Sequence, residues 1–206
     1  MTPRLSTHAL GLWRGQRRLC HSLDFSLGAG EALQLTGPNG SGKTSLMRTL
    51  TGLGRLDEGE IRWNEVPIRR AADYPSALCY LAHQNGLKAH LSTRENIVFY
   101  QSIASVSSEI TADEVLAKLG LAEMAERPCG LLSMGQRRRA ALARLLLTRA
   151  PLWFLDEPLT SLDRDGVALV TTLVEAHLKR GGLLVFASHQ ALPVTGLRAL
   201  ELGAAP

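Results

Sequence analysis

Short apolar runs separated by polar, glycine-containing turns dominate both ends of this chain. Glu31–Thr36, Ile61–Trp63, Leu78–His83, Leu152–Leu155 and Leu183–Ala187 each read as a strand. The last two are continuously apolar, as strands covered on both faces of a parallel sheet must be. The period changes between His83 and Pro151, where helical spacing takes over. Thr93–Ala104 reads as one helix, and TADEVLAKLGL as another that opens on a capping box of Thr111 and Glu114. A third follows LLSMGQ, with Ala140, Leu142, Ala143 and Leu146 along one side. The pattern predicts an α/β core with a helical subdomain inserted at about 85–148. No repeat or linker divides it, so residues 1–206 are expected to form one domain.

Composition narrows the class. The chain has 206 residues, 45% of them hydrophobic, enough for one domain with its own core. Its net charge of +4 is spread among nineteen acidic residues, and only Arg137–Arg139 forms a basic run. That distribution does not point to nucleic acid as a partner. Cys20, Cys79 and Cys129 are odd in number and lack CxxC spacing, which fits a reducing compartment. The N-terminus MTPRLSTHALGLWRG holds no signal-like apolar run, and nothing approaches the roughly 20 apolar residues of a membrane span. A location in the cytosol, reaching a membrane only through partners, is the expectation. The tail ELGAAP leaves no expectation of a regulatory domain.

Chemistry enters at residues 37–44, GPNGSGKT, between a strand and a helix beginning near Lys43 and running to Thr51. Gly37, Gly40 and Gly42, with Pro38, Asn39 and Ser41 between them, let successive N–H groups turn toward phosphate oxygens. Lys43 brings a charge to the β- and γ-phosphates, and Thr44, followed by Ser45, offers a hydroxyl to Mg²⁺. LWFLDEP (152–158) is an apolar strand that ends in two carboxylates. Asp156 is placed for the Mg²⁺ shell, and Glu157 for polarising a water in line with the γ-phosphate. Gln84, after one strand, is a further candidate for Mg²⁺ and the attacking water. His189, after another, is a candidate donor to the γ-phosphate. The start of the helix at Ser133, Met134, Gly135 and Gln136 presents free N–H groups to an anion. Successive helical positions differ by about 100°, so Arg137, Arg138 and Arg139 cannot all face one phosphate, and at least one is expected in solvent.

In order, GPNGSGKT, Gln84, LSMGQ, LWFLDEP, SLD (161–163) and SHQ (188–190) resemble the ATP-binding cassette of ABC transporters over nearly the whole chain. The resemblance implies an ABC-type P-loop NTPase core: a mostly parallel sheet with flanking helices, a helical subdomain and a small N-terminal antiparallel β part. It also implies a second copy packed head to tail. Ser133, Met134, Gly135 and Gln136 of one copy would then close on ATP held by the other, with Ser161, Leu162 and Asp163 along the seam. Met134 departs from the glycine found in many cassettes. Such cassettes stack adenine on an aromatic ahead of the P-loop, which points to Trp13, with Arg14, Arg17 and Arg18 as alternatives. Their membrane-spanning partners dock a coupling helix beside Gln84–His90, where Leu87, Leu91 and Phe99 fit either a groove wall or ordinary core.

YLAHQNGLKAHLSTRENIVFY (80–100), GEIRWNEVPI (59–68) and the bare SHQ ending are similar to the haem-exporter ATPases of cytochrome c maturation in Gram-negative bacteria. That similarity implies a peripheral protein on the cytoplasmic face of the inner membrane, using ATP and Mg²⁺ to export or release haem. Another ABC exporter, for a lipid, lipoprotein or small solute, is the alternative.

Overall fold

The computed structural model describes residues 2–103, 110–190, 192–194 and 196–203. Two sheets organise it. An antiparallel sheet holds β1 (Arg4–Arg14), β2 (Arg17–Gly28), β4 (Glu58–Trp63) and β5 (Val66–Pro67) in the order β2-β1-β4-β5. A parallel sheet holds β3 (Ala32–Thr36), β6 (Leu78–Leu81), β7 (Leu152–Asp156), β8 (Leu183–Ala187) and β9 (Leu197–Glu201) in the order β6-β7-β8-β3-β9. The α/β class follows directly, with the small antiparallel part at the N-terminus.

The parallel sheet is buried on both faces, and its pleat sorts side chains between two cores. Trp153 and Leu155 of β7, with Leu184 and Phe186 of β8, face the core shared with the helical segment. Phe154 of β7, with Leu183, Val185 and Ala187 of β8, faces the other core, shared with the antiparallel sheet and α1 (Lys43–Leu50). This is the period-two alternation of a strand with apolar residues on both sides.

Among the described residues, four α-helices lie between β6 and β7: α3 (Thr93–Ile103), α4 (Ala112–Lys118), α5 (Met134–Ala141) and α6 (Ala143–Leu147), the short α2 (Tyr74–Ala77) preceding β6. Ala104, the expected end of α3, lies outside the described residues. Thr111 and Glu114 do form the capping box at α4. The helix expected after LLSMGQ is divided at Leu142. There the Leu142 N–H is shared between the carbonyls of Arg138 and Arg139, and Leu145 bonds back to Leu142, so the chain tightens for one turn without changing hand. That local twist leaves Leu146 only partly buried and puts Ala141, Leu145 and Leu147 inside.

Helix α7 (Arg164–Lys179) crosses back between β7 and β8. His177, near its end, stacks on Trp153 with centroids 3.8 Å apart and rings 10° from parallel, and donates from Nε2 to the Leu183 carbonyl at 3.1 Å. Burial pushes its pKa down to about 4, against about 6.5 in an unfolded chain. The unfolded state therefore takes up a proton first as the pH falls. The folded state is fully favoured above about 6.5 and loses roughly 3 kcal/mol on the way to pH 4. Urea midpoints should fall across that window in the wild-type chain and fall less in His177→Phe, which keeps the stacked ring. Equal slopes for the two chains would show that His177 carries no such proton linkage.

Candidate active site

Because β3, β7 and β8 are parallel neighbours, their C-terminal ends open onto one edge, where ligands of open α/β sheets gather. The loop 37–44 leaves β3, Asp156 and Glu157 end β7, and Ser188 and His189 follow β8. A cavity of about 310 Å³ lies there. It is lined by Asn39, Gly40, Gly42, Lys43, Thr44 and Ser45 of the loop and α1, by Asp156, Glu157 and His189, and also by Arg14 and His83.

The loop needs its glycines for two separate reasons. Gly37 (φ +133°) passes so close to the C-terminal strand that a Cβ would sit 2.2 Å from the Leu202 carbonyl oxygen. Gly42 (φ +104°) precedes α1 in a left-handed conformation and supplies no side-chain cap, which leaves the first N–H groups of the helix open. Lys43 is almost fully buried, and its Nζ donates to the carbonyls of Gly37 at 2.7 Å and Pro38 at 3.1 Å, bracing the curl from inside.

Among the described residues, two of the three buried side-chain polar atoms without a hydrogen-bond partner are Ser41 Oγ and Asp156 Oδ2, both at this edge. Buried polar atoms are nearly always paired, so the Asp156 oxygen in the cavity wall marks where a ligand belongs, while Ser41, beside Gly37, lies outside the lining. Glu157 sits at φ +49°, a conformation uncommon for a residue with a side chain, held by its N–H donating to the Ala187 carbonyl at 2.8 Å. His189 Nε2 lies 2.9 Å from Asn39 Oδ1 and 3.7 Å from Glu157 Oε1, bridging the loop and the carboxylate.

Gly37, Pro38 and Ser41 of the loop lie outside the lining, and so do Trp13 and Gln84. Trp13 is absent from the cavity lining. The Arg18 guanidinium covers its ring, 5.1 Å from the centroid, and Arg14, the next residue on β1, lines the cavity instead. Adjacent strand residues face opposite sides, so one of the two points inward at the expense of the other. Gln84 is exposed and outside the lining, which takes His83 from the same turn.

Ser133–Gln136 form a separate cluster. Ser133 Oγ accepts from the Gln136 N–H at 3.1 Å, and Gln136 Oε1 accepts from the Ser133 N–H at 2.9 Å. This box satisfies the N–H of Gln136, while those of Met134 and Gly135 have no partner among the described residues, beside an exposed methionine side chain. Gly135 is required by contact, since a Cβ there would lie 2.7 Å from the Ser161 carbonyl oxygen. Ser161 adopts φ +65°, and Asp163 accepts from the Gly166 N–H at 2.9 Å and pairs with Arg139. That pairing holds the Asp163 carboxyl below the usual carboxylate range.

Of the three arginines, Arg138 is the one sequence reasoning missed. It is 3% exposed, and its guanidinium reaches the carbonyls that follow β7. Leu87 and Phe99 pack partly buried against the helical core. No helix among the described residues is long and apolar enough to cross a membrane.

A glycine-rich loop on a helix start, a buried carboxylate at the end of a neighbouring strand and a second carboxylate beside it define a P-loop nucleoside triphosphatase. Residues 20–160 match the ABC transporter family. The chain is 46% identical, over 87% of its own length and 86% of the relative's, to the cytochrome c biogenesis ATP-binding export protein CcmA 1 of Salmonella paratyphi A. It is 44% identical to the protein named CcmA of Yersinia pestis, covering 87% and 83% of the two chains. Its backbone matches a putative ABC transporter ATP-binding protein of Pyrococcus furiosus with a TM-score of 0.81, at 24% identity and 96% coverage of both. It also matches a bacterial Atm1-family ABC exporter with ATP bound with a TM-score of 0.80, at 19% identity, over 98% of this chain and 38% of the exporter. The chain belongs to the ABC transporter family, as one of its ATP-hydrolysing subunits. Membership implies ATP as substrate, membrane transporter partners and dimerisation.

Proposed function

We propose that this chain is the ATPase of a complex that exports or releases haem for c-type cytochromes, working peripherally on the cytoplasmic face of the inner membrane. Its likeness to the cytochrome c biogenesis export proteins, sustained over 87% of the chain, carries that reading. All 206 residues act as one ATPase domain, with the helical subdomain at about 85–148 as an insertion.

The loop Gly37, Pro38, Asn39, Gly40, Ser41, Gly42, Lys43, Thr44 and Ser45 cradles the phosphates, and Arg14, with Trp13 beside it in sequence, stands at the base end. The unpartnered Asp156 oxygen and the Thr44 hydroxyl fit a hard cation that completes its shell with phosphate oxygens and water. Mg²⁺ held there would neutralise charge on the β- and γ-phosphates, and Gln84 would have to turn in from its exposed position to join it. Glu157 accepts a proton from water as the water oxygen bonds to the γ-phosphorus. The bond to the β–γ bridging oxygen breaks, and ADP and phosphate leave. His189, tied to Asn39, donates toward the γ-phosphate and orients Glu157.

Ser133, Met134, Gly135 and Gln136 serve the partner's ATP in a head-to-tail dimer, and Ser161, Leu162 and Asp163 form the seam. The N–H groups of Met134 and Gly135, without a partner among the described residues of their own chain, support this role.

The test is a haem stain of membranes from cells carrying Glu157→Gln in place of the wild-type chain. Covalent haem in c-type cytochromes should disappear while b-type haem stays. Normal cytochrome c maturation would assign the chain to an exporter of another cargo, such as a lipid, lipoprotein or small solute.

A further inference from the structure

Arg138 sits one and a half turns into α5, five residues after the capping Ser133. An arginine this deeply buried normally faces a carboxylate. Here every hydrogen-bonding partner is neutral. Nη2 donates to the carbonyls of Asp156 and Glu157, both at 2.8 Å. Nε donates to the carbonyl of Pro158 at 3.3 Å. Nη1 donates to the carbonyl of Ala82 at 3.1 Å and to Asn85 Oδ1 at 2.9 Å.

A guanidinium has five N–H donors in a fixed planar fork, and all five are used. Their acceptors come from two separate segments, the turn carrying Glu157 and the turn carrying Gln84. Burial disfavours the charge of Arg138 and holds its pKa below the usual arginine value, and the nearby Asp156 and Glu157 carboxylates offset only part of that cost. The three successive carbonyls at 156–158 converge on one side chain across the very turn where Glu157 takes its positive φ of 49°. A left-handed conformation persists in a residue with a side chain only where the surroundings over-determine it. The Glu157 N–H is fixed by Ala187, and its carbonyl by Arg138. Together they set the direction of the carboxylate.

We propose that Arg138 is a positioning residue for hydrolysis: it clamps the Glu157 turn and the Gln84 turn to the signature helix, so that Glu157 meets the attacking water in line. None of the clamp's five hydrogen bonds reaches the loop 37–44. Its loss therefore costs the chemical step more than nucleotide binding. This rests on Glu157 being the residue that takes the proton.

The test compares wild-type chain, Arg138→Lys, Arg138→Met and Glu157→Gln in three measurements: turnover, ATP affinity by displacement of a fluorescent ATP analogue, and melting temperature. Lysine keeps the charge and at most three donors in no fixed plane, whereas methionine fills the space and donates nothing. Misplacement of a reacting group by about 1 Å costs roughly 10²-fold in rate. Arg138→Lys should lose about that factor in kcat, and Arg138→Met more, each with a far smaller change in ATP affinity. Arg138→Lys carries the test if Arg138→Met does not fold. Wild-type kcat in Arg138→Lys would overturn the proposal, as would a loss of kcat that only parallels losses of ATP affinity and melting temperature. Normal turnover by Glu157→Gln would instead remove the reading on which the proposal rests.

Discussion

Glu157→Gln lowers kcat by about 10²–10⁴-fold, the range for losing a general base, and leaves ATP bound. The substitution is nearly isosteric. The contacts that shape the turn are made by the peptide group of residue 157, whose N–H meets Ala187 and whose carbonyl meets Arg138. Neither depends on the side chain, so the amide occupies the place of the carboxylate. What disappears is the basic oxygen proposed to take the proton from water. One negative charge near the γ-phosphate disappears with it, which favours retention of ATP. In the head-to-tail arrangement proposed above, where ATP joins the two copies, the variant should accumulate as an ATP-bound dimer. Phosphate release in single-turnover conditions and sedimentation with and without ATP measure the two effects. Hydrolysis within a few-fold of wild type would move the base to another residue. A dead enzyme that stays monomeric with ATP at high concentration would keep Glu157 as base and remove the ATP-joined dimer.

Much of this site is legible in the residues alone, for local reasons. GPNGSGKT must curl because of its glycines, and LWFLDEP must end a buried strand with its acids at the rim. Both capping boxes are written in residues three apart, Thr111 with Glu114 and Ser133 with Gln136. What was not legible depends on packing between distant segments. A run of three arginines reads as a solvated face. Only the placement of α5 over the end of β7 shows that Arg138 points inward, while Arg139 reaches Asp163.

Trp13 and Arg14 illustrate a second limit. An alternating strand pattern assigns faces only if the register is unbroken. In β1 it is interrupted between Thr7 and Leu10, between Leu10 and Leu12, and between Leu12 and Trp13. Each interruption can exchange the inner and outer sides of everything beyond it. The aromatic residue then pairs with Arg18, and Arg14 takes the place at the cavity. Helix α7 also escaped the sequence reading. Its Val170, Val174 and His177 do recur at helical spacing along the buried side, but β-branched residues around them blur the signal.

Two separately inactive chains should regain activity when mixed. Lys43→Ala removes the buried ammonium that braces Gly37 and Pro38 and would meet the phosphates. Truncating one partner of such a charge-assisted set costs about 2–5 kcal/mol, roughly 30- to several-thousand-fold in ATP affinity. Ser133→Arg leaves that loop untouched, since no residue of 133–136 lines its cavity. It removes the oxygen that caps Gln136 and places a bulky cation where Met134 and Gly135 offer their N–H groups. This chain should bind ATP normally and hydrolyse almost none. If each site is composed of the loop of one copy and the signature of the other, a mixed dimer contains one site with both parts intact and one site lacking both. Hydrolysis should therefore reappear on mixing and rise to a maximum near equal proportions of the two chains. If each chain instead used its own signature, both sites of a mixed dimer would carry one defect, and no ratio would restore activity. Loss of ATP binding in Ser133→Arg alone would likewise place the signature in the site of its own chain. The dependence on mixing ratio separates these arrangements without requiring a structure of the dimer.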